Sequence, residues 1–499
     1  MQSMTVTELR DRVDDRFRLL VGSRRGLERH QTLHHAVAWS YDLLDDTEKM
    51  LLARSSVFAG GFDLAAACAV GGCGDDLATL DVLDALVRKS LLVADRSSGR
   101  TRFSMLETVR QFAEEQLVAS GAANDVRNAH ARHFAGRETD IMSLWDSPRQ
   151  RDSYEWFAVE LANLRTAFRW AADQGDLDTA AIIATYAAFL GVLVENREPI
   201  AWAEELIEPA RAVDHPRLAF LYVMASMCWA VGRIEEAVGY ADAAQVVIAS
   251  GRYEVPFGDE GVLGAAYAVI GQPERYVEWC RAQLARGRDT HTFTRVALVG
   301  ALTFAGCGDE AQAAANGLID AAEATRNPCA LSLALYSYGT AYRFADPVRA
   351  LEALRRGLLI ARDSGNRYAE ILLAALLSSL EAEHGDPLAA LDYITLAVRT
   401  YHDAGNTTGV RGALSLLAVV FDRLERFEPA ATIAGFAFSP LTATVPEFST
   451  TVAHLRDVLD DQSYESLAHK GEAMSTAAMV TYAYDQIDQA RTELNAVSK

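Results

Sequence analysis

The residues able to do chemistry are few, and most lack partners at a useful spacing. His30 and His34 stand at i, i+4 with His35 beside them, and a helix would set such a pair on one face to hold a metal. No carboxylate or cysteine completes the set locally, so no metal site is expected. His130 and His133, three apart in NAHARHFAG, fall on a polar helix and are expected to be solvated. The six cysteines (Cys68, Cys73, Cys228, Cys280, Cys307, Cys329) form no CxxC pair and no zinc spacing with histidine. Cys73 lies in a glycine-rich loop. Cys228, Cys280, Cys307 and Cys329 sit in apolar helical stretches and read as buried free thiols. A phosphate-binding loop needs a lysine directly after a glycine to reach the phosphates. Only Lys49, Lys89, Lys470 and Lys499 occur, and none follows glycine, which excludes ATP hydrolysis of that kind. GxSxG, HExxH, GxGxxG after a strand and EF-hand loops are also missing. The expectation is a non-enzyme with no catalytic residue, cofactor or metal.

Binding residues are easier to nominate. Arg88 and Lys89 end a helical stretch over 79–92, and Arg96, Arg100 and Arg102 follow in a hairpin. Together they are the candidate DNA contacts. DNA affinity comes from neutralising several phosphates at once. Here Asp81 and Asp84 offset the cluster, on a chain of net charge −21, so any contact is expected to be weak. Further on, Tyr222 and Trp229 stand seven apart, and Tyr338 and Tyr342 stand at i, i+4 with Arg343 beside them. Aromatic anchors of this kind suit a partner-binding groove, although each could equally fill a core.

These residues need elements to position them. The chain has 499 residues, half of them hydrophobic and 23% charged, enough for several well-buried domains. No signal peptide opens it and no apolar run is long enough to span a bilayer, so cytoplasmic residence without membrane contact is expected. Residues 1–28 read as a linker helix ending in GSRRG. Residues 29–121 read as several helices followed by two alternating segments around SSGR. Asp45 with Glu48 opens a helix to about Val57, and Asp63 caps another. Residues 122–176 are connecting helices. Beyond Gly175 a turn residue recurs, followed five positions later by a small residue that opens a helix: Gly175/Ala180, Gly232/Ala237, Gly306/Ala311, Ala345/Ala350, Gly385/Ala390 and Glu425/Ala430. Gly271/Tyr276 keeps the register with a larger residue. The steps are 57, 39, 35, 39, 40 and 40 residues, and the long first one marks an irregular unit near 190–230. Each step is long enough for two helices, which must stack on neighbours to bury their apolar faces. Residues 177–440 are therefore read as tetratricopeptide-like repeats and 441–499 as a helical cap. The fold class is all-α with one small β-hairpin wing: a winged helix, then an α-solenoid.

Five segments, RHQTL (29–33), AWSYDLLDDTEKMLLARSSVFAGGFDLAAA (38–67), LDALVRKSLLV (83–93), RFSMLETVRQFAEEQL (102–117) and ELANLRTAFRWAADQGD (160–176), keep a fixed order and spacing. In these the chain resembles the C-terminal half of actinobacterial signal-transduction ATPases with numerous domains, of the antibiotic-regulatory and LuxR-related regulator type. The resemblance implies a winged helix that relays events in a helical-repeat sensor arm to an ATPase module. Arg29, His30 and Gln31 would be interdomain docking residues facing that module, with Arg24 and Arg25 in the linker to it. Too few residues precede them for the ATPase core, so it would be encoded upstream or act in trans. A stand-alone product, a split gene and a fragment of a longer regulator all stay open.

The leading expectation is a non-catalytic regulatory protein whose repeat arm binds a protein partner and whose winged helix relays this to transcription. Two alternatives stand beside it. One is a DNA-binding transcriptional regulator acting through the winged helix. The other is a sensor of a small-molecule inducer in the repeat groove.

Overall fold

The computed structural model describes residues 34–497 other than 73, 97–99 and 288. Arg24, Arg25, Arg29, His30, Gln31 and the 1–28 helix therefore lie outside the described residues. The chain divides into two compact units, one of residues up to Arg137 with Val159–Thr179, the other of Glu138–Ala158 with Ala180 onward.

The first unit is a winged helix. Its elements are α1 (34–42), α2 (Asp46–Arg54), α3 (Leu64–Gly71), α4 (Asp76–Arg88), β1 (Val93–Asp95), β2 (Arg102–Ser104), α5 (Glu107–Ala119) and α6 (Ala123–Gly136). Asp45 and Glu48 form a reciprocal capping box at α2, and Asp63 caps α3, as their spacing predicts. The strands β1 and β2 pair antiparallel, with Ala94 opposite Phe103. Phe62 adds an isolated bridge to Phe103, so the AGGF stretch lies along the wing. Asn163 pins the same stretch, accepting from Ala59 N at 2.9 Å and donating to Gly61 O at 3.0 Å. Phe58, Phe62, Leu83, Leu86 and Phe103 are fully buried around it. His130 belongs to this core. The expectation of a solvated His130 is overturned: it is 1% exposed, its ring 5.2 Å from Phe58 and 4.9 Å from Phe134. Burial, with a smaller push from His133, lowers its pKa to about 3.

The second unit begins with α7 (Glu138–Trp145) and the first turns of α8 (Gln150–Asp173), and is otherwise a stack of helices. These run α9 (Leu177–Leu193), α10 (Glu198–Ala212), α11 (Leu218–Ser226), α12 (Ile234–Ala249), α13 (Ala265–Val269), α14 (Pro273–Ala285), α15 (Phe293–Phe304), α16 (Gly308–Ala315), α17 (Leu318–Thr325), α18 (Pro328–Tyr342), α19 (Pro347–Ser364), α20 (Arg367–His384), α21 (Pro387–Asp403), α22 (Thr407–Arg423), α23 (Phe427–Ala437), α24 (Pro446–Leu459), α25 (Asp461–Glu472) and α26 (Thr476–Val497). The small residues of the repeat are all buried: Ala180, Ala237, Ala350, Ala390 and Ala430 at 0% exposure and Ala311 at 1%. Close helix packing is what requires them. Pro347 and Pro387 sit at the first turn of α19 and α21, where a missing N–H costs little. The long first step has a simple cause, because it holds three helices, α9 to α11, instead of two. A 3₁₀ segment, Met227–Val231, then replaces the last turns of α11. That changes the rotation per residue between Tyr222 and Trp229. Of the cysteines, Cys228, Cys280 and Cys329 are buried thiols, whereas Cys307 is half-buried in the turn before α16.

Candidate ligand cavity and winged-helix surface

The repeat stack comes round on itself. Thr408 Oγ1 donates to the Trp229 carbonyl at 2.7 Å across 179 residues of chain. Asn406 Nδ2 reaches Glu195 Oε2 at 3.3 Å. At another point Arg151 donates to the carbonyls of Asp363 and Arg362, at 2.8 and 2.6 Å. The concave side of such a stack becomes a partly open space. It is a cavity of about 360 Å³, within the range of small-molecule sites.

Helices α15, α18, α20 and α22 supply the largest shares of its wall, and Trp145 of α7 joins them. Trp145 is fully buried, its ring 4.7 Å from both Phe189 and Phe257, and its Nε1 donates to Tyr154 Oη at 3.1 Å. Tyr276, Tyr336, Tyr368 and Tyr401 bring four phenols to the wall. Burial raises the pKa of all four, so they remain neutral. Two of them need glycines opposite. A Cβ on Gly264 would lie 1.7 Å from the Tyr276 ring, and one on Gly409 2.6 Å from the Tyr401 ring. The oversized Tyr276 of the repeat pattern is thus accommodated by its neighbour.

Charge on the wall is sparse. Arg343 and Glu447 are both buried and form a two-pronged pair, Nε to Oε1 and Nη2 to Oε2, the latter at 3.1 Å. Arg343 Nη1 also donates to the Thr340 carbonyl at 2.5 Å. Asp259 is different. Among the described residues no hydrogen bond or ion pair reaches its carboxylate, and the surface it keeps uncovered lies on the cavity wall. Burial pushes this carboxyl up to about 8, helped by the charge of Glu260. It hangs from a strained segment. Phe257 has φ 60° and ψ 6°, a left-handed conformation that a bulky residue rarely adopts, and Gly258 follows at φ 72°. The ring contacts of Phe257 with Trp145 and His291 hold the turn, and Trp279 Nε1 anchors the Glu260 carbonyl at 2.7 Å.

The structure divides the groove residues nominated from the sequence. Trp229 and Arg343 line the cavity. Tyr222 packs toward Tyr240 instead, at 6.4 Å. Tyr338 and Tyr342 stack on each other at 4.5 Å, half-buried, and Tyr342 Oη donates to Asn316 Oδ1 at 2.8 Å. Asp259 was missed because PFGDEG reads as an ordinary loop. Its one sequence signal is that it interrupts the repeat just before the irregular Gly271/Tyr276.

The basic residues of the winged helix divide as well. Lys89 Nζ pairs with the buried Glu48 at 2.5 Å, and Arg102 pairs with the buried Glu160 at 2.5 Å while donating to Gly61 O at 2.7 Å. Arg88, Arg96 and Arg100 are exposed, and so are Asp75, Asp76 and Asp81 at the start and along the length of α4.

Residues 44–118 match the family of the winged helix-turn-helix domain. Over 219 residues the chain is 40% identical to a "Putative HTH-type transcriptional regulator" of Mycobacterium bovis, and equally to one of Mycobacterium tuberculosis, covering 42% of this chain and 24% of the relative. It thus spans about a quarter of the length of these curated relatives. An "Uncharacterized protein" of Mycobacterium tuberculosis is 39% identical over 136 residues, 26% of this chain and 35% of that one. Two solved structures are similar at low identity. The first is a signal-transduction ATPase with numerous domains and a tetratricopeptide repeat sensor from Pyrococcus horikoshii, with TM-score 0.45, 16% identity, and 87% of this chain and 64% of that chain covered. The second is a Rap protein complexed with Competence and Sporulation Factor, with TM-score 0.41, 12% identity, and 73% and 99% covered. No helix among the described residues is long and apolar enough to cross a membrane.

Proposed function

We propose that this chain is a non-catalytic regulatory protein whose repeat unit receives a small lipophilic ligand and whose winged helix passes that event to transcription. One observation carries the reading: an apolar cavity of about 360 Å³ lies within the repeat stack, and among the described residues the Asp259 carboxylate on its wall has no partner. A packed core would not leave that volume empty. Ordering the cavity wall around a ligand stabilises the occupied form, and any change of wall position is available to the rest of the chain. The curated relatives named as transcriptional regulators support the output side. An ATPase module supplied upstream or in trans, docking through Arg29, His30 and Gln31, fits the same scheme.

Direct DNA reading through the winged helix is the weaker proposal. Two of its five nominated cations, Lys89 and Arg102, are already paired inside the domain, and exposed aspartates flank the rest. A protein partner at Tyr338 and Tyr342 is supported only by a half-buried stacked pair already tied to Asn316.

The test uses the neutral fluorophore phenylnaphthylamine. Gly300 and Gly412 line the cavity, and a Cβ on either meets nothing within 4 Å, so leucines there fill the space without strain. The wild-type chain should bind the fluorophore saturably and Gly300→Leu/Gly412→Leu should not. Amide exchange over residues 46–119 should also change on binding. Equal binding by both proteins rejects the cavity, and unchanged exchange rejects the relay.

A further inference from the structure

We infer that the cavity is a receptor for a lipophilic monocation, such as an organic ammonium of drug-like size, held with its charge against Asp259 and its body against the aromatic wall. This rests on the reading of the cavity as a ligand site and adds the chemical class.

Three observations converge on that class. First, the Asp259 carboxylate is half-buried against an apolar wall and lacks a partner among the described residues, which is unfavourable for its charged form until something completes it. Second, the remaining wall charges cancel: Arg343 is engaged by Glu447 and by the Thr340 carbonyl, so among the described residues of the wall no cation is left to receive an anionic ligand. Third, the groups around Asp259 are aromatic. Its charge acts on the phenols of Tyr276 and Tyr368, and both rings line the same wall. Ring faces attract a desolvated cation, and a carboxylate beside them neutralises it. A neutral apolar ligand would need none of this, and a Leu or Asn would serve at 259. The left-handed turn at Phe257 and Gly258 lies directly before Asp259, which lines the cavity.

Proton linkage follows. The titratable groups facing Asp259 are Glu260 on its own segment and Tyr276, Cys329 and Tyr368 on packed helices, with Arg343 and Glu447 the other charges on the wall. Burial holds the protons of Tyr276, Cys329 and Tyr368 well above neutrality. The empty site therefore carries a protonated Asp259 below about pH 8, and a cation must displace that proton. Affinity for a permanent cation rises with pH, about tenfold per unit, and levels off above the carboxyl's own pKa.

Calorimetric titration of the full chain with naphthylmethyl-trimethylammonium and its neutral isostere neopentylnaphthalene tests the inference. The wild type should prefer the cation by about tenfold or more, the scale of one charge-assisted contact with aromatic support. Asp259→Asn should erase that preference and its pH dependence, because Asn keeps the shape and loses the charge. Cation and isostere bound equally by the wild type, and both blocked by Gly300→Leu/Gly412→Leu, would overturn the cation assignment and leave the cavity reading standing. A cation preference that survives Asp259→Asn would overturn the role of this carboxylate. Neither probe bound would overturn both readings.

Discussion

The two units both close buried carboxylates with cations, and they differ at Asp259. In the winged helix each buried carboxylate that meets a cation is closed within the domain, Glu48 by Lys89 and Glu160 by Arg102, with Asn163 donating to Glu160 at 2.7 Å. In the repeat unit Glu447 is closed by Arg343 in the same manner, yet Asp259, beside the same cavity, is left open. A closed pair specifies architecture: it fixes which segments meet and offers nothing to a ligand. An open charge in an apolar wall is unfavourable until something binds. The contrast separates residues that look functional from residues with capacity to spare, and it moves Arg102 to the first group and Asp259 to the second.

The largest effect should come from opening a closed pair. Arg102→Ala strands Glu160 in the core and removes the bond to Gly61, and loss of one partner of a buried pair costs about 3 kcal/mol or more. Arg100→Ala, at an exposed position, should change stability by less than about 0.5 kcal/mol. Denaturant unfolding followed in the winged-helix unit distinguishes them. If Arg102→Ala were as harmless as Arg100→Ala and instead weakened a low-salt gel shift, the closed-pair reading would fail and DNA contact through the wing would gain.

How far the sequence reveals this contrast depends on locality. The capping box at Asp45 and Glu48, the Asp63 cap and the small residues at 180, 237, 311, 350, 390 and 430 are local signals, and the structure uses each as its spacing suggests. The pairs that close the winged helix span 41 and 58 residues, and no periodicity announces them. His130 misleads because its helix is polar overall, whereas the one face it occupies packs on Phe58 and Phe134. Trp229 lines the cavity whereas Tyr222 packs toward Tyr240, a division that their spacing of seven does not announce. Asp259 is legible only as a departure: the repeat fails at 256–264, and the next unit carries Tyr276 where a small residue is due. Both irregularities face the cavity. In a repeat protein the broken repeats are informative, because packing alone would have kept them regular.

Next comes an effect spread over pH, from removing the open charge. The folded chain holds a proton on Asp259 up to about pH 8, whereas an unfolded aspartate releases it near its ordinary value, around pH 4. Between those limits the folded state binds more protons, so stability falls as pH rises, by up to about 1.4 kcal/mol per unit. Asp259→Asn abolishes this slope. The variant should melt above the wild type at the alkaline end of the window, with the gap shrinking toward the acidic end. Scanning calorimetry across the window checks it. A variant that melts lower throughout would mean that Asp259 has a structural partner, and the contrast with Glu48 and Glu160 would disappear.

The smallest effect concerns His130, the closed unit's own buried titratable group. Its pKa of about 3 in the folded state lies below the ordinary value of about 6.5, so on acidification the unfolded chain takes up a proton that the folded one refuses. Stability contributed by neutral burial is complete above about pH 6.5 and declines as pH falls toward the folded pKa, again by up to about 1.4 kcal/mol per unit. The direction is opposite to that for Asp259, although desolvation is the leading cause of both shifts. Burial penalises charge in either case; the histidine gains its charge in acid and the aspartate in base. His130→Phe keeps a ring between Phe58 and Phe134 and should flatten the acid limb of the winged-helix transition, leaving the alkaline limb untouched. Urea melts at several mildly acidic pH values measure this. An acid limb unchanged by the substitution would place the proton uptake on another group and remove His130 from the comparison.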